Sequence, residues 1–360
     1  MNSKAQHAGP SAKLVADSAM LLTVIVTHYN YSDYVHDALA SLTCQTHRNF
    51  ECVIVDDHSE PSHLERLKKI VSELADSRFR ILALTENAGQ TNAVFEGLHK
   101  STGEFVALLD PDDIYVPSFL AKMLACHLNP VTYAAVASCE MGLFRIGGHK
   151  LTNCYVGFKQ RALEAGTLPR AEASLSDFGF SAYYPQDTPG WLWGTTSSMM
   201  FRRDALEALR RDTYMPDTKV HADTYCVYGA HILGGTLFVD ELLSWRGLHK
   251  DNAAESPWVV SSKQIRHRPS FVDSSKSIKR FAIETMLENG RAKTIPTKLL
   301  ASTLDASYSK EEIKSLLQVY PSYEEVRAIL QPGLWARLKK WRKSRNISAT
   351  PAPRGRKQRT

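Results

Sequence analysis

Three acids crowd one short stretch of the chain: Asp110, Asp112 and Asp113 come directly after the apolar run Phe105–Leu109. A run of that length and character reads as a buried strand, so the acids stand at a strand end. Carboxylates this close repel one another. A turn or helix cap needs one acid, not three. A divalent cation such as Mg²⁺ or Mn²⁺ takes hard oxygen ligands and can bridge them to a diphosphate. One carboxylate would take the metal while its neighbour contacts the sugar part of a nucleotide. The plain alternative is a capping loop before Ser118. Asp56 and Asp57 repeat the pattern after Cys52–Val55. A strand-end Asp accepts hydrogen bonds from a base or ribose, or it caps a turn. Asp223 falls in the first turn of a helical pattern. The helix dipole alone favours an acid there, and an acid aimed into a site serves as a general base. His249 reads as a metal ligand or phosphate contact, although a single histidine is usually neither.

The elements that must position these residues alternate. Strands are expected at 21–27, 50–57, 80–85 and 104–109. Helices are expected at 32–43, 63–74 and 90–100, with another starting at Pro117-Ser118. This order implies an α/β fold with a parallel, doubly wound sheet and right-handed crossovers. Ligands of such sheets sit beyond the carboxyl ends of the strands, where both acid groups and Asn30 fall. Gly89 precedes a helix whose N-terminus suits a phosphate, although no G-x-G-x-x-G is present. Residues 140–190 are rich in Gly, Pro and aromatics and show weak periodicity. Residues 190–211 read as loop, short strand and helix, 222–235 as a helix ended by Gly234-Gly235, and 236–252 as paired short strands. The expected organisation is a disordered N-terminus (1–18), one large domain (19–255), a mobile segment with a helical extension (256–330) and a basic amphipathic tail (331–360).

The ordered blocks resemble family 2 glycosyltransferases, whose nucleotide-sugar domain is called GT-A. "TVIVTHYNYSDYVHDALASLTCQTHRNFECVIVDDHS" (23–59) is similar to that family's opening, and "NAGQTNAVFEGLHKSTGEFVALLDPDD" (87–113) to its second block, ending in D-x-D. Asp223 matches the position of a catalytic base, and "WRGLHKDN" (245–252) resembles an Arg-x-x-His segment. The likeness covers about 20–255. It implies a Rossmann-like, mostly parallel sheet flanked by helices and an inverting, metal-assisted transfer from a nucleotide-diphosphate sugar to a saccharide or lipid-linked acceptor. It implies that Thr27, Tyr29, Asn30 and Asp56 hold base and ribose, with Asp57 supporting that corner. Asp110 and Asp112 would handle ribose and metal, Asp113 would orient their loop, Asp223 would deprotonate the acceptor, and His249 would touch metal or diphosphate. Phe95 departs from the family's frequent Asn. The processive Q-x-x-R-W segment is absent, which implies a non-processive enzyme of surface polysaccharide or glycoconjugate synthesis.

Two other classes fit parts of the sequence. "ALLDPDDIYV" also suits the D-x-D nucleophile motif of haloacid dehalogenase-like phosphatases, with Asp110 as the nucleophile, but those place their second acidic pair later in the chain. A basic-tailed nucleic-acid-binding or scaffold protein is the non-enzyme reading. Ten of the 44 Lys and Arg lie in 331–360 with no acid among them, so the net charge of +6 belongs to the tail and the body is acidic. That tail has few aromatics for base stacking, and no nucleic-acid partner is expected. Leu334, Trp335, Leu338 and Trp341 recur at helical spacing among Lys and Arg, which suits an anionic membrane surface. The six cysteines make no C-x-x-C pair and read as reduced thiols of a cytoplasmic protein. The apolar run 19–26 is too short to span a bilayer, so the expected location is cytoplasmic, or peripheral on the inner face of the membrane.

Overall fold

Runs that are apolar on both faces become the central strands, because helices cover the sheet on both sides. The computed structural model describes residues 19–146, 150–152, 181–188, 193–212, 221–249 and 269–330. The expected disordered N-terminus, most of the polar stretch 256–275 and the basic tail 331–360 lie outside them.

The first half alternates as β1 (Leu22–His28), α1 (Val35–Thr43), β2 (Phe50–Asp56), α2 (Pro61–Leu74), β3 (Phe79–Ala83), α3 (Gln90–His99) and β4 (Phe105–Leu109). Pro61 opens α2, where its fixed φ and missing N–H cost nothing. After it come β5 (Ile114–Tyr115), α4 (Phe119–His127), β6 (Val136–Arg145), β7 (Lys150–Thr152) and β8 (Ala182–Tyr184). A 3₁₀ turn at Thr196–Ser198 leads into β9 (Met199–Arg202), α5 (Arg203–Glu207), α6 (Ala222–Gly234) and β10 (Thr236–Leu248). The helices α7 (Pro269–Glu288), α8 (Thr297–Ser307), α9 (Lys310–Val319) and α10 (Glu324–Ile329) end the described chain.

The sheet order is β3-β2-β1-β4-β9-β6-β10-β5. Strands β3, β2, β1 and β4 are parallel, and β9 then runs antiparallel to both β4 and β6. The doubly wound expectation holds for the first four strands, and the sheet as a whole is mostly parallel, as the resemblance implies. Register sets the site. His28 pairs with Asp56, and Val26 pairs with Leu109, so the β1, β2 and β4 ends emerge at one edge. One apolar cluster joins the sheet to α1, α2 and α4, and the other joins it to α3, α6 and α7.

Two expectations differ from what is found. Residues 236–248 form one strand rather than a pair. It pairs parallel with β6, and register shifts at Val239/Leu242 and Leu242/Ser244 bend it, which breaks the period-2 pattern. The helical extension begins at Pro269, inside the stretch read as polar and mobile, with 20 residues in α7. Tyr225 of α6 donates to the Thr285 hydroxyl of α7 at 3.0 Å, so the extension is packed on the body. No helix among the described residues is long and apolar enough to cross a membrane.

Candidate active site

The strand ends open on a cleft of about 390 Å³. Thr27 and Tyr29 line it from β1, Asp57 from β2, Gly89 from the start of α3, and Asp110, Asp112 and Asp113 from β4. Seven of the residues expected at a site therefore share one wall. Gln90, Tyr31 and Arg246 line it too.

The β1–β2 corner is bonded within itself. Asp56 is buried and accepts from His28 Nδ1 at 2.7 Å and from the Ser59 N–H at 3.1 Å. Burial pushes its carboxyl up, but the His28 and Ser59 hydrogen bonds outweigh that and hold it below the usual carboxylate range. The Ser59 hydroxyl accepts from the Asn30 N–H at 2.9 Å, and Asn30 Oδ1 accepts from the Glu60 N–H at 2.8 Å. Asn30 sits at φ 58°, a left-handed conformation that Asn tolerates and most residues do not. Asp56 and Asn30 thus lie behind the cleft as a joint between two loops, while Tyr29, 48% exposed, projects from it. Asp57 accepts from the Ala88 N–H at 2.7 Å and the Gly89 N–H at 2.9 Å. Burial raises its carboxyl more than those bonds lower it. Gly89 caps α3 at φ 85°, which requires glycine.

The β4 end is under tension. Burial first, then the charges of Asp112 and Asp223, push the Asp110 carboxyl up to about 7, with Arg246 and Thr196 pulling the other way. Burial and the charges of Asp112 and Asp110 push Asp113 well up, against Arg246 and Ser197. Hydroxyls from the 3₁₀ turn brace the loop: Ser197 Oγ accepts from the Asp110 N–H at 2.9 Å. Gln90 Nε2 donates to Asp110 Oδ1 at 2.9 Å. Asp113 Oδ1 accepts from the Gly247 N–H at 3.0 Å. A Cβ on Gly247 would lie 2.0 Å from the Asp112 carbonyl oxygen, so only glycine lets β10 approach the acid loop this closely. That approach delivers His249, whose Nε2 lies 3.0 Å from Asp112 Oδ2, the two side chains 5% and 12% exposed.

Asp223 stands in the first turn of α6, and its Oδ1 accepts from the Thr224 N–H at 2.6 Å. It does not line the cleft wall, but its charge reaches Asp110. The sequence reading missed Gln90, Thr196 and Ser197, and it gave Arg246, the arginine of the Arg-x-x-His segment, no role of its own. Gln90 sat within a quoted block as an unremarkable polar residue, and the hydroxyl-rich "GTTSS" gave no periodic signal.

Among the described residues no three His, Cys, Asp or Glu side chains are gathered to hold a metal by themselves. Asp112 and His249, the donors that the resemblance implies, stand 3.0 Å apart at the loop. A hard cation held by few protein groups, with ligand oxygens and water completing its shell, suits such a set. The loop's raised carboxyls mark a place where added positive charge is favourable, so the residues fit a divalent ion.

A family model for glycosyl transferase family 2 matches residues 23–210. An uncharacterized glycosyltransferase of Nostoc sp. is 26% identical over 248 residues, 68% of this chain and 70% of that one. The UDP-Glc:alpha-D-GlcNAc-diphosphoundecaprenol beta-1,3-glucosyltransferase WfgD of Escherichia coli is 31% identical over 109 residues, 30% of this chain and 42% of its own length. Among solved structures, S. aureus TarS 1-349 in complex with UDP-GlcNAc has a TM-score of 0.48 at 17% identity, covering 90% of this chain and 92% of that one. With the family model spanning more than half of its length, the chain belongs to glycosyl transferase family 2 and is a glycosyltransferase.

Proposed function

We propose that this glycosyltransferase moves one sugar at a time from a nucleotide-diphosphate donor to a hydroxyl of a saccharide or lipid-linked acceptor, with inversion, in the synthesis of a surface polysaccharide or related glycoconjugate. The observation that carries the reading is the loop of Asp110, Asp112 and Asp113. It faces the same cleft as Thr27, Tyr29 and Asp57, with Arg246 and His249 brought against it. A volume of about 390 Å³ falls within the range of small-ligand pockets. Relatives such as WfgD, whose name gives a UDP-sugar donor and a lipid-diphosphate acceptor, support the substrate classes.

In this reading Tyr29 and Asp57 take the base and ribose, held in place by the Asp56–His28–Ser59–Asn30 joint. Asp110 meets the ribose, Gly89 faces the phosphates, and Asp113 fixes the loop. Asp112 and His249 hold Mn²⁺ or Mg²⁺, which when bound offsets charge developing on the departing diphosphate. Asp223 accepts the proton of the attacking hydroxyl, a step worth about 10²–10⁴-fold. The basic tail brings the enzyme to an anionic membrane surface beside its acceptor, at about 1 kcal/mol per basic residue near the leaflet.

A thermal-shift series with UDP-, GDP- and dTDP-sugars, with and without Mn²⁺, tests the reading. One nucleotide class should raise the midpoint, and more so with the ion, because a ligand of the native state stabilises it. No shift with any of them would refute it.

A further inference from the structure

The imidazole of His249 lies within a three-ring cluster. Tyr34 stacks on it with centroids 3.8 Å apart and planes 22° from parallel, and Tyr31 meets its edge at 5.4 Å and 73°. The tyrosines contact each other edge to face at 5.5 Å. Both stand just before α1, where the Tyr34 N–H donates to the Tyr31 carbonyl at 2.9 Å and fixes their spacing. Among the described residues neither belongs to the two apolar clusters that build the core. They are half-buried, and Tyr31 lines the cleft.

We propose that Tyr34, backed by Tyr31, is the positioning residue for the His249 ring and thereby sets the affinity of the cleft for a divalent cation. The inference rests on the reading of Asp112 and His249 as that ion's protein donors. Three constraints are needed to aim an imidazole. The first is the backbone, fixed where Gly247 is bonded to Asp113 and pressed against the Asp112 carbonyl. The second is one point on the ring, the Nε2 opposite Asp112 Oδ2. Rotation about the last side-chain bond, a broad torsion in histidine, remains. A stacked ring removes it, because tilting the imidazole would lift it off the Tyr34 face. The stack therefore fixes the plane in which the Nε2 lone pair lies. Partners that orient a ligating histidine typically matter by about 10–100-fold in metal affinity. Stacking needs the ring of Tyr34 and not its hydroxyl, so phenylalanine should replace it.

The test titrates the full chain with Mn²⁺ in the presence of inorganic pyrophosphate and follows free Mn²⁺ by electron paramagnetic resonance. Tyr34→Leu should bind about 10-fold more weakly, and Tyr34→Phe should match the native chain. Tyr34→Met, apolar but without a ring face, serves should the leucine variant unfold. In metal-free protein, the His249 ring protons, identified by their loss in His249→Gln, should move downfield in Tyr34→Leu and stay in Tyr34→Phe. Native affinity in Tyr34→Leu, or equal weakening in the Phe variant, overturns the positioning role. If the native chain binds Mn²⁺ no better than Asp112→Asn, the cation reading itself fails and the inference falls with it.

Discussion

Two acid groups at neighbouring strand ends look alike in sequence and differ in the folded chain. Asp56 and Asp57 are met by the protein: His28, Ser59 and the Ala88 and Gly89 N–H groups all donate to them. Asp110, Asp112 and Asp113 are crowded against one another, and two of them are pushed toward the protonated form. The first pair is a joint that the chain completes. In the proposed reading the second group is completed by a cation. Strand-end acids therefore divide by balance: hydrogen bonds outweigh burial at Asp56, whereas burial and like charge outweigh the donors at Asp110 and Asp113.

The largest effect should come from the crowded group. Asp112→Asn removes a cation donor without touching the core. A metal contributes several kcal/mol of charge stabilisation, so about 4 kcal/mol, or about 10³-fold in metal-dependent turnover, is expected to go. Circular dichroism should stay native, and the melting point should not fall, because the change also relieves like-charge crowding on Asp110 and Asp113. Native turnover of Asp112→Asn at limiting Mn²⁺ would place the ion elsewhere. Next is Asp223→Asn, which should keep donor affinity by calorimetry while kcat falls about 10²-fold. Loss of donor affinity instead would assign Asp223 to the nucleotide side, consistent with its reach to Asp110.

Much of this division was unreadable beforehand, for physical reasons. Strands β1, β2 and β4 and the D-x-D loop were legible because buried strands leave near-continuous apolar runs, and the half-exposed edge strand β3 followed from the alternation of strands and helices. The hydrogen-bond partners of Asp56 and Asn30 were not. A carboxylate's partners come from His28, 28 residues away, and from the conformation of the 58–60 loop, and neither shows as periodicity. Gln90 and Arg246 reach the acids only through the register of β1 on β4 and the bend of β10. The single strand at 236–248 was misread because its register shifts break the period-2 pattern.

A smaller effect concerns stability without metal. Burial and the neighbouring charges push the folded Asp110 carboxyl up to about 7, well above the ordinary carboxylate range, so the native state keeps a proton that the unfolded chain releases. Stability from this group is greatest at low pH and declines as pH rises from about 4 through 7. Asp110→Asn should flatten that slope and raise the metal-free melting point at pH 8 by about 4 °C. An unchanged slope would mean that the crowding at β4 is relieved within the protein, which would make the two acid groups equivalent after all.

The smallest effect probes the joint. Asn30 does two things there: it holds φ at 58°, and its Oδ1 accepts from the Glu60 N–H. Glycine adopts that φ without strain, so Asn30→Gly loses only a solvent-accessible hydrogen bond, about 0.5–1 kcal/mol. Alanine loses the same bond and must also place a Cβ in the left-handed region, which adds about 1 kcal/mol or more. Urea unfolding should therefore rank native, Asn30→Gly, Asn30→Ala. The Asn30 N–H to Ser59 bond is a backbone donation that both variants keep, so the β2 end stays in register. If Asn30 serves only the joint, donor affinity in Asn30→Gly remains native while stability drops. A donor affinity that falls more steeply than stability would instead put the Asn30 side chain in the nucleotide's reach, and the joint would be part of the site.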